Sequence, residues 1–242
     1  MPDSSTDARV ASGLAAQREL LDARLRSGAR QSGWKIGFGS PSGLELLGLD
    51  APLMGHLLAK SEILAPDRAE PDQAEPARIA LTGWTKPVIE AEIAAWIGAD
   101  IPPGTSPDAI HEFLAGVGPA IEMADLDHAP ADPHRILAGN IFQRAYLLGA
   151  PDSELSIEDI SALNASFTHS DEIVEVTDAT ALTGNLRQVL AHAANTAPAL
   201  GRGLQAGDVI LLGSIITPRP VSVGETCRYS LGQFPELVIT FV

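Results

Sequence analysis

Residues 87–93, Pro87-Val88-Ile89-Glu90-Ala91-Glu92-Ile93, open an apolar run that continues to Ile97 and is closed by Gly98. Proline and glycine are strand boundaries, and the alternation between them predicts a β-strand over 88–97. Side chains along a strand point to opposite faces with a period of two, so Glu90 and Glu92 share one face. Two like charges on a buried face repel unless a cation lies between them. The plain alternative is the wet face of a half-exposed strand, and spacing alone leaves both readings open.

Working outward, a second lone acid, Glu122, stands in Gly118-Pro119-Ala120-Ile121-Glu122-Met123, which reads as a buried strand. Three carboxylates in apolar settings with no adjacent base suggest a hard divalent cation. Oxygen donors select Mg²⁺, Mn²⁺ or Ca²⁺ over zinc, and three protein ligands leave positions open for water or substrate. A further odd residue is Lys35, in Trp34-Lys35-Ile36-Gly37. A lysine in a short apolar strand is costly to bury unless it meets an acid or an anionic ligand. Otherwise its stem packs inside and its amine snorkels to water.

Around these pieces, residues 1–7 read as a frayed tail and residues 8–31 as an amphipathic helix, interrupted near Gly13 and stopped by Gly33. A short helix is expected over 42–49, a strand within 51–58, and a solvated loop over 65–78. Ser106 and Pro107 carry the capping chemistry of a helix running to about Val117. An acidic loop follows over 124–131, then a strand over 140–148. Strands are expected over 163–167, 172–176, 208–212, 226–231 and 237–242, with a helix over 185–200. Strands outnumber helices in an irregular order, and there is no internal repeat at 20–50 residues. This favours an α+β fold over a regular βαβ array. One domain over 10–242 with a flexible tail at 1–9 fits a chain of 242 residues.

The bulk numbers narrow the function. The formal net charge is −15, which argues against a nucleic-acid partner and against a polybasic membrane patch. The single cysteine, Cys227, allows neither an internal disulfide nor a cysteine zinc site. No apolar run reaches the ~20 residues of a membrane span, and the first residues lack signal-peptide order. A soluble cytoplasmic enzyme is the expectation.

Lys35-Ile36-Gly37, Glu90-Ala91-Glu92 and Ala120-Ile121-Glu122 occur in the order and spacing of the 2-keto-4-pentenoate hydratase/4-oxalocrotonate decarboxylase family, within the fumarylacetoacetate hydrolase superfamily. Leu182-Thr183-Gly184-Asn185-Leu186-Arg187, Ala206-Gly207-Asp208-Val209-Ile210-Leu211 and Gly213-Ser214-Ile215-Ile216-Thr217-Pro218 resemble it too, as do Leu231-Gly232 and Val238 to Val242. The resemblance runs from about residue 10 to the end; no single motif is specific, but the ordered set is. It implies a strand-rich mixed sheet curled into a roll with helices outside. It implies Mg²⁺ or Mn²⁺ held by Glu90, Glu92 and Glu122, with Lys35 at the anionic end of a small 2-oxo or 2-hydroxydienoic acid. Ser40, Ser214 and Thr217 match substrate-side positions; each is equally readable as a turn residue bonding its own backbone. The reaction implied is hydration, with decarboxylation or C–C hydrolysis at the same site as alternatives. Homo-oligomers are expected of the family.

One position departs. Where the family often shows Pro-Asp-aromatic-Gly, this chain has Pro52-Leu53-Met54-Gly55. Leucine cannot shuttle a proton. Its presence motivates a reading from another class, a non-catalytic homologue that stabilises a related subunit. Other signals are set aside. Asp125, Asp127, His128, Asp132 and His134 are broken by prolines and read as a charged loop. His169-Ser170-Asp171 is adjacency, not a triad. Gly37-Phe38-Gly39 and Gly201-Arg202-Gly203 lack dinucleotide-binding spacing. Cys227 reads as inert core.

Overall fold

Alternation like that of residues 88–97 needs two different surroundings, one for each face, and the fold supplies them. The computed structural model describes residues 7–63 and 76–242. In chain order the elements are α1 (Ala8–Arg26), β1 (Gln31–Gly37), α2 (Pro41–Leu47), β2 (Leu53–Leu58), β3 (Glu62–Ile63) and β4 (Ala77–Ile79). They continue with β5 (Pro87–Ile97), β6 (Leu114–Asp125), α3 (Pro133–Ala138), β7 (Gln143–Leu148), α4 (Ile157–Ser161), β8 (Ala165–His169) and β9 (Glu172–Val176). The last are α5 (Thr180–Thr183), α6 (Leu186–Thr196), β10 (Val209–Ser214), β11 (Arg219–Pro220), β12 (Thr226–Leu231) and β13 (Leu237–Phe241).

The expected roll is built from two sheets. The larger runs β2-β1-β10-β5-β6-β7-β3, with β11 added against β5; the smaller runs β4-β13-β12-β8-β9. The larger sheet is mixed, since β1 pairs with β10 in parallel while β10, β5, β6 and β7 are mutually antiparallel. It curls into a half-barrel. Ile89, Ala91 and Ile93 of β5 and Ile121 and Met123 of β6 are fully buried in one large core cluster. That cluster also takes in Cys227, Tyr229, Leu237, Ile239 and Phe241 of the smaller sheet. The other face of the same two strands carries Val88, Glu90, Glu92, Glu122 and Ala124. At its far end it is closed by a smaller cluster of Leu57, Ala94, Ala120, Tyr146, Val209 and Leu211.

Helices cover the edges. α1 begins at Ala8, capped by Asp7, whose carboxylate accepts from the Arg9 amide. The helix thus starts at residue 8, where the sequence pattern places it. Gly13 does not interrupt α1; it is buried where the helix crosses α3, and a Cβ there would meet the Leu137 Cβ at 2.8 Å. The helix expected from Ser106 to Val117 is a correction. Only Ile110–Phe113 forms a single 3₁₀ turn, and Leu114 already enters β6. β6 pairs along all of β5, from Leu114 opposite Ile97 to Asp125 opposite Pro87, and that pairing overrides the cap. The expected loop over 65–78 lies outside the described residues up to 75, and its end is strand β4. The strand expected from Asn140 starts at Gln143. α3 and α4 are helices the sequence pattern did not suggest.

Candidate active site

Two neighbouring strands supply the carboxylates. In the β5–β6 pair Glu90 lies directly opposite Glu122, and Glu92 lies opposite Ala120. Opposed residues on one face stand roughly 4.5–5.5 Å apart. One oxygen from each of Glu90, Glu92 and Glu122 thus falls within 4.8 Å of the other two. Among the described residues this is the one such grouping of acids, histidines and cysteines.

Lys35 arrives from β1, on the far side of β10. Its Nζ donates to Glu122 Oε1 at 2.5 Å and to the Ile141 carbonyl at 3.2 Å, and the side chain is 3% exposed. The snorkelling alternative is thereby excluded. Gly55 of β2 lies opposite Lys35. A Cβ at Gly55 would come within 3.0 Å of both the Lys35 Cγ and the Asn140 Oδ1, so the lysine stem requires a bare backbone there.

Two backbone irregularities finish the floor. The register of β10 on β5 shifts between Leu211 and Ser214. Within that bulge Gly213 adopts φ +103°, a conformation that side chains oppose, and its N–H donates to Glu92 Oε2 at 3.0 Å. The second is the run Asn140-Ile141-Phe142, with φ of 62°, 51° and 60°. Three successive left-handed residues cost energy that neighbours must offset. Here the Asn140 side chain does so: Nδ2 donates to the His56 carbonyl at 3.0 Å, and Oδ1 accepts from the His56 amide and from Gln17 Nε2, each at 2.8 Å. The turn delivers the Ile141 carbonyl to Lys35 and places Phe142 beside the pocket.

The electrostatics call for a cation. Burial raises Glu92 well above the ordinary carboxylate range, and Glu122 and Glu90 add to it. Burial likewise raises Glu122 against the pull of Lys35, and raises Glu90 against the same pull. Burial alone would lower Lys35, but the three carboxylates outweigh it and keep it an ammonium. One ammonium thus serves three acids, and Glu122 Oε2 has no hydrogen-bond partner among the described residues. An all-oxygen donor set short of positive charge, with an unpartnered buried oxygen, fits a hard divalent cation.

Lys35, Glu90 and Glu92 line a pocket of about 440 Å³, together with Ser40, Ser42, Leu182, Thr183, Gly213, Ser214 and Thr217. Ser40, Ser214 and Thr217 thus stand at the wall, but two of the three hydroxyls are engaged with backbone. Ser40 Oγ accepts from the Gly43 amide as the N-cap of α2, and Ser214 Oγ donates to the Ile216 carbonyl at 2.7 Å. Leu53 is buried in a separate hollow with Val10, Leu14, Leu137 and His192. The Ile141 carbonyl and Phe142 escaped the sequence reading; Asn140, a residue type that tolerates left-handed backbone, was the available signal.

The signals set aside are structural. Asp125 ends β6 and accepts from the Thr85 and Lys86 amides. His128 stacks on Phe142 at 4.6 Å and bonds Asp127. His169 pairs with Glu225 across 2.9 Å. Cys227 is buried, and burial pushes its thiol up to about 12.

Comparisons with known proteins bear on the family and the fold. The sequence profile of the fumarylacetoacetate (FAA) hydrolase C-terminal family matches residues 56–242. A 4-oxalocrotonate decarboxylase from a Pseudomonas species is 27% identical over 218 residues, covering 88% of this chain and 79% of the relative. A 2-keto-4-pentenoate hydratase from Burkholderia vietnamiensis is 30% identical over 198 residues, covering 80% and 71%. The solved structure of a Pseudomonas putida 4-oxalocrotonate decarboxylase, complexed with magnesium and adipate, superposes with a TM-score of 0.83 at 21% identity, covering 95% of this chain and 85% of that one.

Proposed function

This chain belongs to the fumarylacetoacetate hydrolase family, and from that premise we propose that it is a divalent-metal-dependent lyase, a hydratase of the 2-hydroxypenta-2,4-dienoate type. The observation that carries the proposal is the convergence of Glu90, Glu92 and Glu122 beside Lys35, with Lys35, Glu90 and Glu92 lining one pocket. The three carboxylates would hold Mg²⁺ or Mn²⁺. When bound, such a cation supplies a Lewis acid for the carboxylate and 2-oxo oxygens of a keto acid.

The chain's own groups do the rest. A lysine has three N–H donors. Lys35 commits one to Glu122 and one to the Ile141 carbonyl, which leaves the third for the substrate's 2-oxygen. There it would stabilise the negative charge on the 2-oxygen as the enol proton passes to water in the pocket and a solvent proton adds at C5, giving the 2-oxo-3-enoate. Gly213 fixes Glu92, and the buried rear cluster excludes water behind the floor. Water then adds at a remote carbon, in the open part of the pocket. Leu53 is outside that wall, so no proton comes from its position. Decarboxylation is the second reading, favoured by the name of the 27%-identical relative.

The test is calorimetric titration of the metal-free protein with Mg²⁺ and then with oxalate, for wild type and Glu92→Ala. Metal-dependent oxalate binding that disappears in the variant supports the site. A wild type that binds no Mg²⁺ removes the mechanism.

A further inference from the structure

Beyond the carboxylates the same strand faces continue, and what they carry bears on the far end of the substrate. Val88 pairs with Ala124 as the next rung after Glu90–Glu122. Two residues along a strand is about 6.7 Å. The same pocket wall carries Leu126, Phe38, Leu46, Phe142 and Ile216. In a six-carbon 2-oxo acid held with its carboxylate and oxo group at the metal site, C6 lies four bonds from the oxo carbon, on the order of 5 Å away. The remaining gap of about 2 Å to the Val88–Ala124 rung lies within van der Waals contact distance.

Among the described residues of the wall, Lys35 is the single cation, and it is engaged at the opposite end with Glu122 and Ile141. The wall also holds Glu90 and Glu92. A second carboxylate at C6 would lose its water against Val88, Ala124, Leu126 and Phe142 and gain no counter-charge, which is strongly unfavourable. A methyl group or short alkyl chain in the same place gains by burial.

Resting on the metal-site reading above, we propose that the Val88–Ala124 rung, extended by Leu126 and Phe142, selects a 2-oxo monocarboxylic acid with an apolar tail and discriminates against dicarboxylic acids of the same length. The pair is specificity-determining and takes no part in the chemistry.

The experiment compares two C6 probes, 2-oxohexanoate and 2-oxoadipate, with oxalate as the probe of the metal end, by calorimetry on the full-length Mg²⁺-loaded protein. The expected result is that oxalate binds and 2-oxohexanoate binds at least about tenfold tighter than 2-oxoadipate. In Val88→Lys the ratio of the two C6 affinities falls or inverts, because the new ammonium meets the second carboxylate. Leu126→Arg, in the loop after β6, serves the same purpose if Val88→Lys does not fold. Oxalate binding with 2-oxoadipate equal to or tighter than 2-oxohexanoate in the wild type overturns this inference alone and moves the function toward the decarboxylase. No oxalate binding in the wild type overturns the metal-site reading, and this inference with it.

Discussion

A single ammonium decides the charge of the site. Replacing Lys35 by Met keeps the stem's volume and removes the donor to Glu122 and Ile141. Turnover is expected to fall by about 10²–10³-fold with Mg²⁺ binding retained, as read by steady-state rates beside calorimetry. Loss of metal binding would instead make Lys35 a structural clamp on Glu122. His56 gives a pH signature away from the site. It is fully buried, donates its amide to Asn140, and has burial, aided by Arg24, pushing its imidazole down to about 3. The unfolded chain protonates this group below about 6.5, whereas the folded chain keeps it neutral. Its contribution to stability is thus complete above pH 6.5 and is lost as the pH falls toward 3. The slope approaches about 1.4 kcal/mol per pH unit between those limits. Urea unfolding from pH 4 to 7 should show a shallower acid limb for His56→Asn than for wild type; parallel limbs would show that His56 is protonated in the fold.

The register of β10 depends on how the strand is entered. Asp208, just before it, receives two bonds from Arg202 at 2.6 and 2.8 Å, and one each from Trp34 Nε1 and the Gln205 amide at 3.0 Å. Arg202 also lies 5.0 Å over the Trp34 ring. The knot ties the start of β10 to β1, and five residues after Asp208 the strand makes the bulge at Gly213. Asp208→Asn, leaving a half-buried guanidinium short of its partner, should cost about 3 kcal/mol, measured as a drop in the urea midpoint. A change under about 0.5 kcal/mol would show that pairing with β1 alone sets the entry. Legibility differs between elements for related reasons. β5 was readable because period-two alternation and its punctuation agree, and with it the three acids; Lys35 followed from the cost of burying a charge. The 106–117 segment was misread because Ser106 and Pro107 are local signals while β6 is a pairing decision made with distant β5. The Asn140–Phe142 turn left little trace, because what stabilises it comes from Gln17 and His56, remote in sequence.

At the scale of the whole molecule the buried carboxylate cluster is a folding liability, and the proposed cation would relieve it. Binding at about a hundred times the dissociation constant adds about 2.7 kcal/mol of stability. In a chain of this size that raises Tm by roughly 5–10 °C. A thermal melt with Mg²⁺ against one with chelator should show that shift in wild type and not in Glu92→Ala; an equal shift in both would place the stabilising ion elsewhere. No helix among the described residues is long and apolar enough to cross a membrane. The alternation of β5 has one more consequence, for how such a protein can change over generations. Point substitutions at 88 and 124 leave 90, 92 and 122 where they are, so on the proposed reading substrate preference would drift while the metal site stays in place. Insertion or deletion of one residue inside β5 is another matter. It would slip the strand by half a period, turning Glu90 and Glu92 into the oily layer shared with β12 and β13 and presenting isoleucines to the pocket. Along the eleven residues of β5, substitution away from Glu90 and Glu92 is thus expected to be tolerated better than any change of length.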